Sequence, residues 1–393
     1  MTTQHLTYSP FDPDVIVDPY PVYRHLRDHA PVYWSAEAHS WVLSRYDDVS
    51  AALADPTTYS SASGVYPTPP GVDMTDLFLP MLVMSDPPRH TQLRQLVSKA
   101  FTPRRIAALE PTIQTVVDDL LDRTPASGRW DFVSGFSGPL PAIVIADMLG
   151  VPREDHDRFR DWSTTLVQSN PIRGEMGVGM EAAAALYDYF ATFLAERRAH
   201  PRDDLMTALV QAEVEGQRLS EDELLGFCLL LLVAGHETTT NLLSNGVVLL
   251  AEHPESRQLL TEEPELVAPA VEELLRYDSP IQGIGRTLTG PVELHGQRME
   301  PGQSVLLLFG SANRDERAFR DAEVFDIGRR PERHVGLGRG IHFCLGASLA
   351  RMESRIALHA LLSRQGFRWD VDLYGADRLN SGPIRGYSSL PVS

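Results

Sequence analysis

Cys344 sits in the run Gly338-Arg339-Gly340-Ile341-His342-Phe343-Cys344-Leu345-Gly346. Three glycines loosen the backbone around one thiol. The following Ala347-Ser348-Leu349-Ala350-Arg351-Met352-Glu353 is a helix former. The spacing places the sulfur where a tight loop enters a helix. There, unpaired backbone amides and the positive end of the helix dipole favour an anion. A thiolate is stabilised at such a place, and its pKa falls below that of free cysteine. Glycines also let the backbone approach a flat ligand closely, where a Cβ would clash. A lone cysteine is ordinarily a small buried hydrophobe; the glycine spacing marks this one as a candidate for chemistry.

A second set lies in Ala234-Gly235-His236-Glu237-Thr238-Thr239, a polar cluster inside an otherwise apolar helical stretch, flanked by Leu229–Val233 and Leu242–Leu243. Polar groups in a buried helix are costly unless satisfied. A threonine there can bond back to the carbonyl one turn earlier. Gly235 removes a side chain from the neighbouring face, so together they are expected to open a small polar niche beside a ligand. Glu273 and Arg276 are spaced i,i+3 on a helix, a pair that alone is worth only about 0.2–0.5 kcal/mol. His90 and Arg94 lie four apart on one helix face, Arg286 follows Ile281–Gly285, and His342 lies two before Cys344.

Together these segments resemble the cytochrome P450 family. Its heme-binding loop reads Phe-Gly-x-Gly-x-His (or Arg)-x-Cys-x-Gly, matched here by Gly338, Gly340, His342, Cys344 and Gly346. Leu337 stands where the family carries its sulfur-shielding Phe, a change that bears on the iron potential and on hydrogen bonding to the sulfur. The resemblance implies heme b with Cys344 as the axial thiolate ligand, and His90, Arg94, Arg286 and His342 on the two propionates. The choice of Arg and His for that task suits charge-assisted pairing. It also implies that Glu237 and Thr238 form the oxygen-activation motif, with Glu237 assisting proton delivery. Glu273 and Arg276 join Arg329 in a buried cluster that fixes the ligand loop. Leu230, Val233 and Ala234 face the substrate. Ala312-Asn313-Arg314-Asp315 matches a further, structural landmark. The resemblance covers essentially the whole chain.

The elements that must position these groups are mostly helical. A helix is expected over Tyr20–His29, then strands over Pro31–Ser35 and Ser40–Ser44 and a helix near Asp47–Ala54. Ser60–Pro88 is a long Ser/Pro/Gly-rich segment carrying Phe78, Leu79, Met81, Leu82, Val83 and Met84, and it reads as a lid on an apolar cavity. Helical patterns follow over Thr91–Ala100, Arg104–Asp122, Pro141–Leu149, Arg153–Gln168 and Gly179–His200. Ser220-Glu221-Asp222-Glu223 reads as a capping box, opening a helix that runs to His253, before Pro254. At 1.5 Å per residue it is about 50 Å long, and it is apolar around most of its circumference, so it should cross the core. Val271–Tyr277 is helical, while Val292–Leu294 and Ser304–Phe309 are β-like. The fold class is thus mostly α with a small β-rich region, the cytochrome P450 fold, in a single domain spanning 1–393.

Composition excludes several function classes. A formal net charge of −18 argues against nucleic acid or an anionic membrane surface as partner. The polar, proline-rich Met1–Tyr20 lacks the apolar run of a signal peptide or membrane anchor, which points to a cytoplasmic protein. With Cys228 and Cys344 the only cysteines, no disulfide framework exists, and Cys228, set among leucines, reads as core packing. The expected activity is insertion of one oxygen atom of O2 into an apolar small molecule. The candidate lining is Met81, Leu82, Val83, Leu230, Val233, Ile281, Ile284 and Ile384, with Gln282 as a polar handle. No flavin or nicotinamide fingerprint is present, so electrons are expected from a ferredoxin or flavodoxin with its reductase, docking on Lys99, Arg104, Arg105 and Arg339. Two alternatives are a peroxide-driven heme hydroxylase and a non-catalytic heme-binding sensor; the intact Glu237–Thr238 pair argues against both. A cysteine-nucleophile hydrolase would leave the surrounding motifs unexplained.

Overall fold

The computed structural model describes residues 7–66, 79–125, 128–168, 176–331, 333–364, 367 and 369–393. Helices α1 (Pro13–Val17) and α2 (Tyr20–His29) lead into the hairpin β1 (Val32–Ser35) and β2 (Ser40–Leu43), helix α3 (Tyr46–Ala54) and the short strand β3 (Tyr59–Ser60). Of the expected lid, Leu82–Met84 form a 3-10 turn; Phe78 lies outside the described residues. Then come α4 (Arg89–Ala100), α5 (Pro103–Ala108), α6 (Glu110–Arg123), β4 (Trp130–Asp131), a π-helical turn at Val133–Ser137, α7 (Pro139–Leu149), α8 (His156–Gln168), α9 (Met176–Ala199) and α10 (Leu205–Gln211).

The centre of the molecule is α11 (Glu221–Glu252), 32 residues long. It starts as its sequence dictates. Ser220 Oγ accepts from Glu223 N at 3.2 Å, and Glu223 Oε2 accepts from Ser220 N at 2.9 Å. Such reciprocal capping satisfies two orphan donors, each cap being worth about 1 kcal/mol. The helix ends at His253 because Pro254 cannot continue it. Its C-terminal half, from Thr239 to Leu250, is wholly buried. No described helix is long and apolar enough to cross a membrane.

After α11 the chain forms α12 (Pro254–Glu262), α13 (Val267–Tyr277), β5 (Gly283–Leu288), the hairpin β6 (Val292–Leu294) and β7 (Gln297–Met299), β8 (Ser304–Leu308) and α14 (Phe309–Ala312). A 3-10 turn at Gly340–His342 precedes α15 (Ala347–Ser363), and β9 (Asp377–Arg378), β10 (Tyr387–Ser389) and β11 (Pro391–Val392) close the chain. The main sheet has the order β1-β2-β8-β5-β3, with only β2 and β8 parallel. It carries its own apolar core around Leu43, Val49, Val305 and Leu307. The large core, around α6, α7, α11, α13 and α15, is separate.

Several boundaries differ from the sequence reading. Arg104–Asp122 is two helices, because Pro111 has no N–H to continue the ladder past Leu109. Arg153–Asp155 is a 3-10 turn before α8 begins. α13 starts at Val267 and accommodates Pro269 in its first turn, where the missing N–H has no intrahelical acceptor. Phe309 opens α14 rather than ending β8. α10 and α12 were not anticipated; α10 is seven residues long and is started by the Asp204 cap.

Candidate functional site

The Cys344 loop is shaped by backbone that only glycine adopts readily. Gly338 and Gly340 have φ of 71° and 68°. A Cβ on Gly340 would also sit 2.6 Å from the Leu53 carbonyl of α3, so the loop passes close against that helix. Cys344 N donates to Leu337 O at 2.9 Å, tying the thiol to the position of the family's Phe. The half-buried Leu337 packs on the main core. Burial pushes the Cys344 thiol up, while the Gly346 amide and the charges of Arg94 and Arg351 act to lower it; the net shift is upward. Among these groups the sulfur therefore favours its anion only when a further cation, such as a metal, approaches it.

The four expected propionate ligands come together beside this loop. The His90 and His342 rings lie 4.3 Å apart. Burial lowers the His342 pKa to about 3, helped by the positive charges of Arg286, His90 and Arg94. Burial, then Arg94, lowers that of His90. Arg286, on β5, is pushed down to about 10 by burial, and among the described residues its guanidinium bonds only its own neighbour, Gly285 O, at 2.7 Å. Arg94 Nη2 donates to Phe343 O at 2.9 Å, and Ser61 Oγ lies 3.2 Å from His342 Nε2. Both ring nitrogens of His90 are buried without a partner among the described residues. One carboxylate, Asp86, acts on His90, Arg286 and His342, and it is already held by Ser60 Oγ and Ser61 N. Two guanidiniums and two buried imidazoles around one committed carboxylate need a further partner rich in acceptors and negative charge. A flat group bearing two carboxylates, as heme does, fits them.

The middle of α11 faces the same space. Ala234 is exposed at the centre of this helix, and Leu230, Val233, Glu237 and Thr238 are half-buried, although the helix beyond them is fully buried. A concavity therefore lies against this face. Thr238 Oγ1 donates to Ala234 O at 2.6 Å, which commits its proton and leaves its lone pairs toward the concavity. Burial raises the Glu237 carboxyl to about 8, so it holds a proton at neutral pH. The expected niche at Gly235 is not formed: a Cβ there would lie 2.6 Å from Ile145 Cδ1, so the glycine admits a side chain of α7. His236 points away, its Nδ1 2.6 Å from Ser163 Oγ of α8, and burial lowers its pKa to about 4.

Two groups escaped the sequence reading. Glu353 of α15 is 2% exposed. Burial raises it to about 8 although it is hydrogen-bonded to the Thr239 side chain. Its signal was a carboxylate on the apolar face defined by Leu349, Ile356 and Ala357. Tyr66 is 45% exposed, and it lies near enough to Glu237 for that carboxylate, after burial, to raise its pKa. Its place in a Ser/Gly-rich segment carried no signal.

The support beneath the loop is the cluster expected from Glu273, Arg276 and Arg329. Arg276 forks onto Glu273 with two bonds of 2.7 Å, and both side chains are fully buried. Arg329 Nε reaches Glu273 Oε1 at 3.2 Å. Arg276 also donates to the Asn313, Ala322 and Val324 carbonyls, so one guanidinium pins the chain between α14 and the Cys344 loop.

The proposed lining divides. Met81 and Leu82 are buried in the main core and Val83 packs on it. Ile281 and Ile384 form an isolated antiparallel bridge, and Ile284 is half-buried on β5. Gln282 departs from its expected role as a polar handle. It is 2% exposed, and its amide donates to Ser279 O at 2.8 Å and toward Tyr20 OH, so its polar end is turned into the protein. Among the docking candidates, Lys99 Nζ donates to Glu213 O, and Arg105 to Asp204 O with Asp203 nearby. Arg104 and Arg339 are exposed.

Comparison with known proteins agrees with this geometry. The family model described as Cytochrome P450 matches residues 166–378. Cytochrome P450 109 of Bacillus spizizenii is 43% identical over 351 residues, covering 88% of this chain and 84% of its own. Cytochrome P450 CYP109Q5 from Chondromyces apiculatus superposes with a TM-score of 0.90 at 37% identity, covering 98% of this chain and 99% of that one. CYP109E1 from Bacillus megaterium, solved in complex with testosterone, superposes at 0.85 with 38% identity, covering 95% of this chain and 99% of that one. At this identity over nearly its whole length, the chain belongs to the cytochrome P450 family of heme-binding oxidoreductases.

Proposed function

We propose that this protein is a heme-thiolate monooxygenase in which Cys344 is the axial ligand and His90, Arg94, Arg286 and His342 hold the propionates. The observation that carries the reading is that cradle of two guanidiniums and two imidazoles beside the Cys344 loop, with both His90 nitrogens buried and unpartnered among the described residues. Thiolate-ligated heme, when bound, supplies the activation of O2.

The chain's own contribution is positioning and proton handling. Glu273, Arg276 and Arg329 hold the ligand loop rigid. Thr238, with its proton given to Ala234 O, accepts a hydrogen bond from a protonated group in the concavity. Glu237, protonated below about pH 8, is the proton source beside it. Leu230, Val233, Ala234, Ile281, Ile284 and Ile384 form apolar walls that exclude water from the reacting centre. The substrate is an apolar small molecule; the testosterone bound by one relative sets the size range to screen first. Electrons come from a ferredoxin or flavodoxin with its reductase.

The test is the reduced protein with carbon monoxide. The wild type should give the red-shifted Soret band of thiolate ligation, and Cys344→Ser should lose it; retention of the band in the variant removes Cys344 from the iron. Substrate consumption that depends on reduced pyridine nucleotide separates a monooxygenase from a peroxide-driven hydroxylase or a sensor.

A further inference from the structure

The concavity over α11 is closed by a ring of contacts. β5 meets the segment before Tyr66, since Gly285 N donates to Val65 O at 2.7 Å, and Tyr66 feels the charge of Glu237 on α11. On the other side, the chain turn 383–386 bridges β5 and α11. Gln282 N donates to Pro383 O at 2.7 Å, and Arg385 N to Pro280 O at 2.8 Å. Asn245 Nδ2 of α11 donates to Arg385 O at 3.1 Å. A Cβ on Gly386 would overlap the Asn241 amide, so glycine is what lets this turn lie on the helix. Ile384 sits at the apex of the turn, bridged to Ile281.

Beyond that single bridge, this turn has no ladder of its own. Side chains immobilise it. Arg385 Nε donates to Asp278 Oδ1 at 2.7 Å, while its Nη1 donates to Val17 O at 2.9 Å and to Ile16 O at 3.3 Å. Tyr20 OH donates to the same Asp278 oxygen. Arg314 lies over the Tyr20 ring at 3.4 Å and over the Tyr277 ring at 3.6 Å. Asp278, Arg385 and Tyr20 are all buried. Burial acts to neutralise both charges, but the pair and its neighbours outweigh it: Asp278 is left below the usual carboxylate range and Arg385 above the usual guanidinium range. One carboxylate at the end of α13 thus ties the C-terminal turn to α1 and α2.

We infer that the Asp278–Arg385 pair is a positioning device that sets the Ile384 wall of the binding cavity, and with it the size and shape of the molecules accepted; this rests on the reading that Ile281 and Ile384 face the substrate. The pair is distinct from the Glu273–Arg276–Arg329 support of the Cys344 loop, with which it shares no hydrogen bond among the described residues. Loosening it displaces the wall and leaves the iron ligation intact.

The experiment compares two nitrogen ligands of ferric heme in the holoprotein by their Soret shift. Imidazole is compact, whereas clotrimazole carries a bulky trityl group expected to press on the cavity walls. Asp278→Asn keeps the volume and the bond from Tyr20 but removes the charge. Arg385→Lys keeps the charge but loses the fork onto Val17 O. Each should change the clotrimazole dissociation constant by about fivefold or more, with imidazole within about twofold. Ile384→Ala should change it likewise, and combining it with Asp278→Asn should be markedly less than additive, because both act on one wall. Equal effects on the two ligands, no effect on clotrimazole, full additivity, or loss of heme from both pair variants would each overturn the inference. The carbon monoxide band of each variant reads the iron ligation separately, so a failure of the thiolate reading shows there and not in the ligand ratio.

Discussion

His90 Nδ1 and Nε2 are both buried without a partner among the described residues, although the His342 ring lies only 4.3 Å away. Two imidazoles that do not bond each other, beside two guanidiniums, are arranged for something outside the chain. The doubly substituted His90→Phe, Arg286→Leu protein should retain far less heme than wild type. The ratio of Soret to protein absorbance after gel filtration measures this. An unchanged ratio would take these two residues off the propionates.

Thr238→Ala should uncouple electron use from product formation. The substitution removes a hydroxyl whose proton is fixed on Ala234 O and leaves the apolar walls in place. Product per NAD(P)H should fall by about tenfold or more, with peroxide making up the difference. Normal coupling with a good substrate would end the proposed role of this hydroxyl.

Glu237 gives that coupling a pH dependence. Burial raises its carboxyl to about 8, so the protonated form prevails below that pH and is lost as pH rises through it. Coupling should therefore decline on the alkaline side with an apparent midpoint near 8. Glu353 is also raised to about 8, so the assignment needs both Glu237→Gln and Glu353→Gln; the first should flatten the profile and the second should not. The stability sign is the same for both. A raised carboxyl favours the fold while neutral, so its contribution is full below the unfolded value and is lost as pH rises through the folded one.

Glu273→Gln should destabilise the fold by about 3–5 kcal/mol, since it strands a fully buried Arg276. Arg329→Leu should cost less, because Arg329 contributes one longer bond to Glu273 and is partly solvent-accessible. Urea unfolding of the two variants measures both. Equal losses would mean that Arg329, not Arg276, is the main partner of the carboxylate.

The parts of this site that the sequence made legible are those where side-chain type follows backbone need. Gly338 and Gly340 hold positive φ, Ser220 and Glu223 close a cap, and Thr238 bonds back one turn. Each is decided within a few residues. What stayed hidden depends on long-range packing. Gly235 looked like an opening until Ile145 of α7 was seen to occupy it. Gln282 reads as a polar handle, but contacts with Tyr20, distant in sequence, and with Ser279 hold its amide inside the protein. The Asp278–Arg385 pair joins residues 107 apart and ties them to α1 carbonyls near the other end of the sequence, and no local pattern encodes that meeting.

Docking of the electron donor is sharpened by the structure. Lys99 and Arg105 are held by the backbone carbonyls of Glu213 and Asp204, and the Asp203 carboxylate 3.6 Å from Arg105 offsets part of its field. Arg104 has no ion-pair partner among the described residues and is exposed on α5, which packs on α15, the helix that follows Cys344. Arg339 is exposed within the Cys344 loop, bonded only to the neutral Ser50 hydroxyl, and Phe343 presents an apolar face beside it, 41% exposed. An acidic ferredoxin or flavodoxin would meet this pair of charges around an apolar centre. Steering between such patches weakens as salt screens it. The reduction rate should therefore fall with ionic strength, and Arg104→Glu with Arg339→Glu should slow it by about tenfold at low salt, with ligand binding to the ferric protein unchanged. Lys99→Glu with Arg105→Glu should have the smaller effect. A salt-independent rate indifferent to the first pair would place the donor on another face, and a larger effect from the second pair would move the docking centre toward α10.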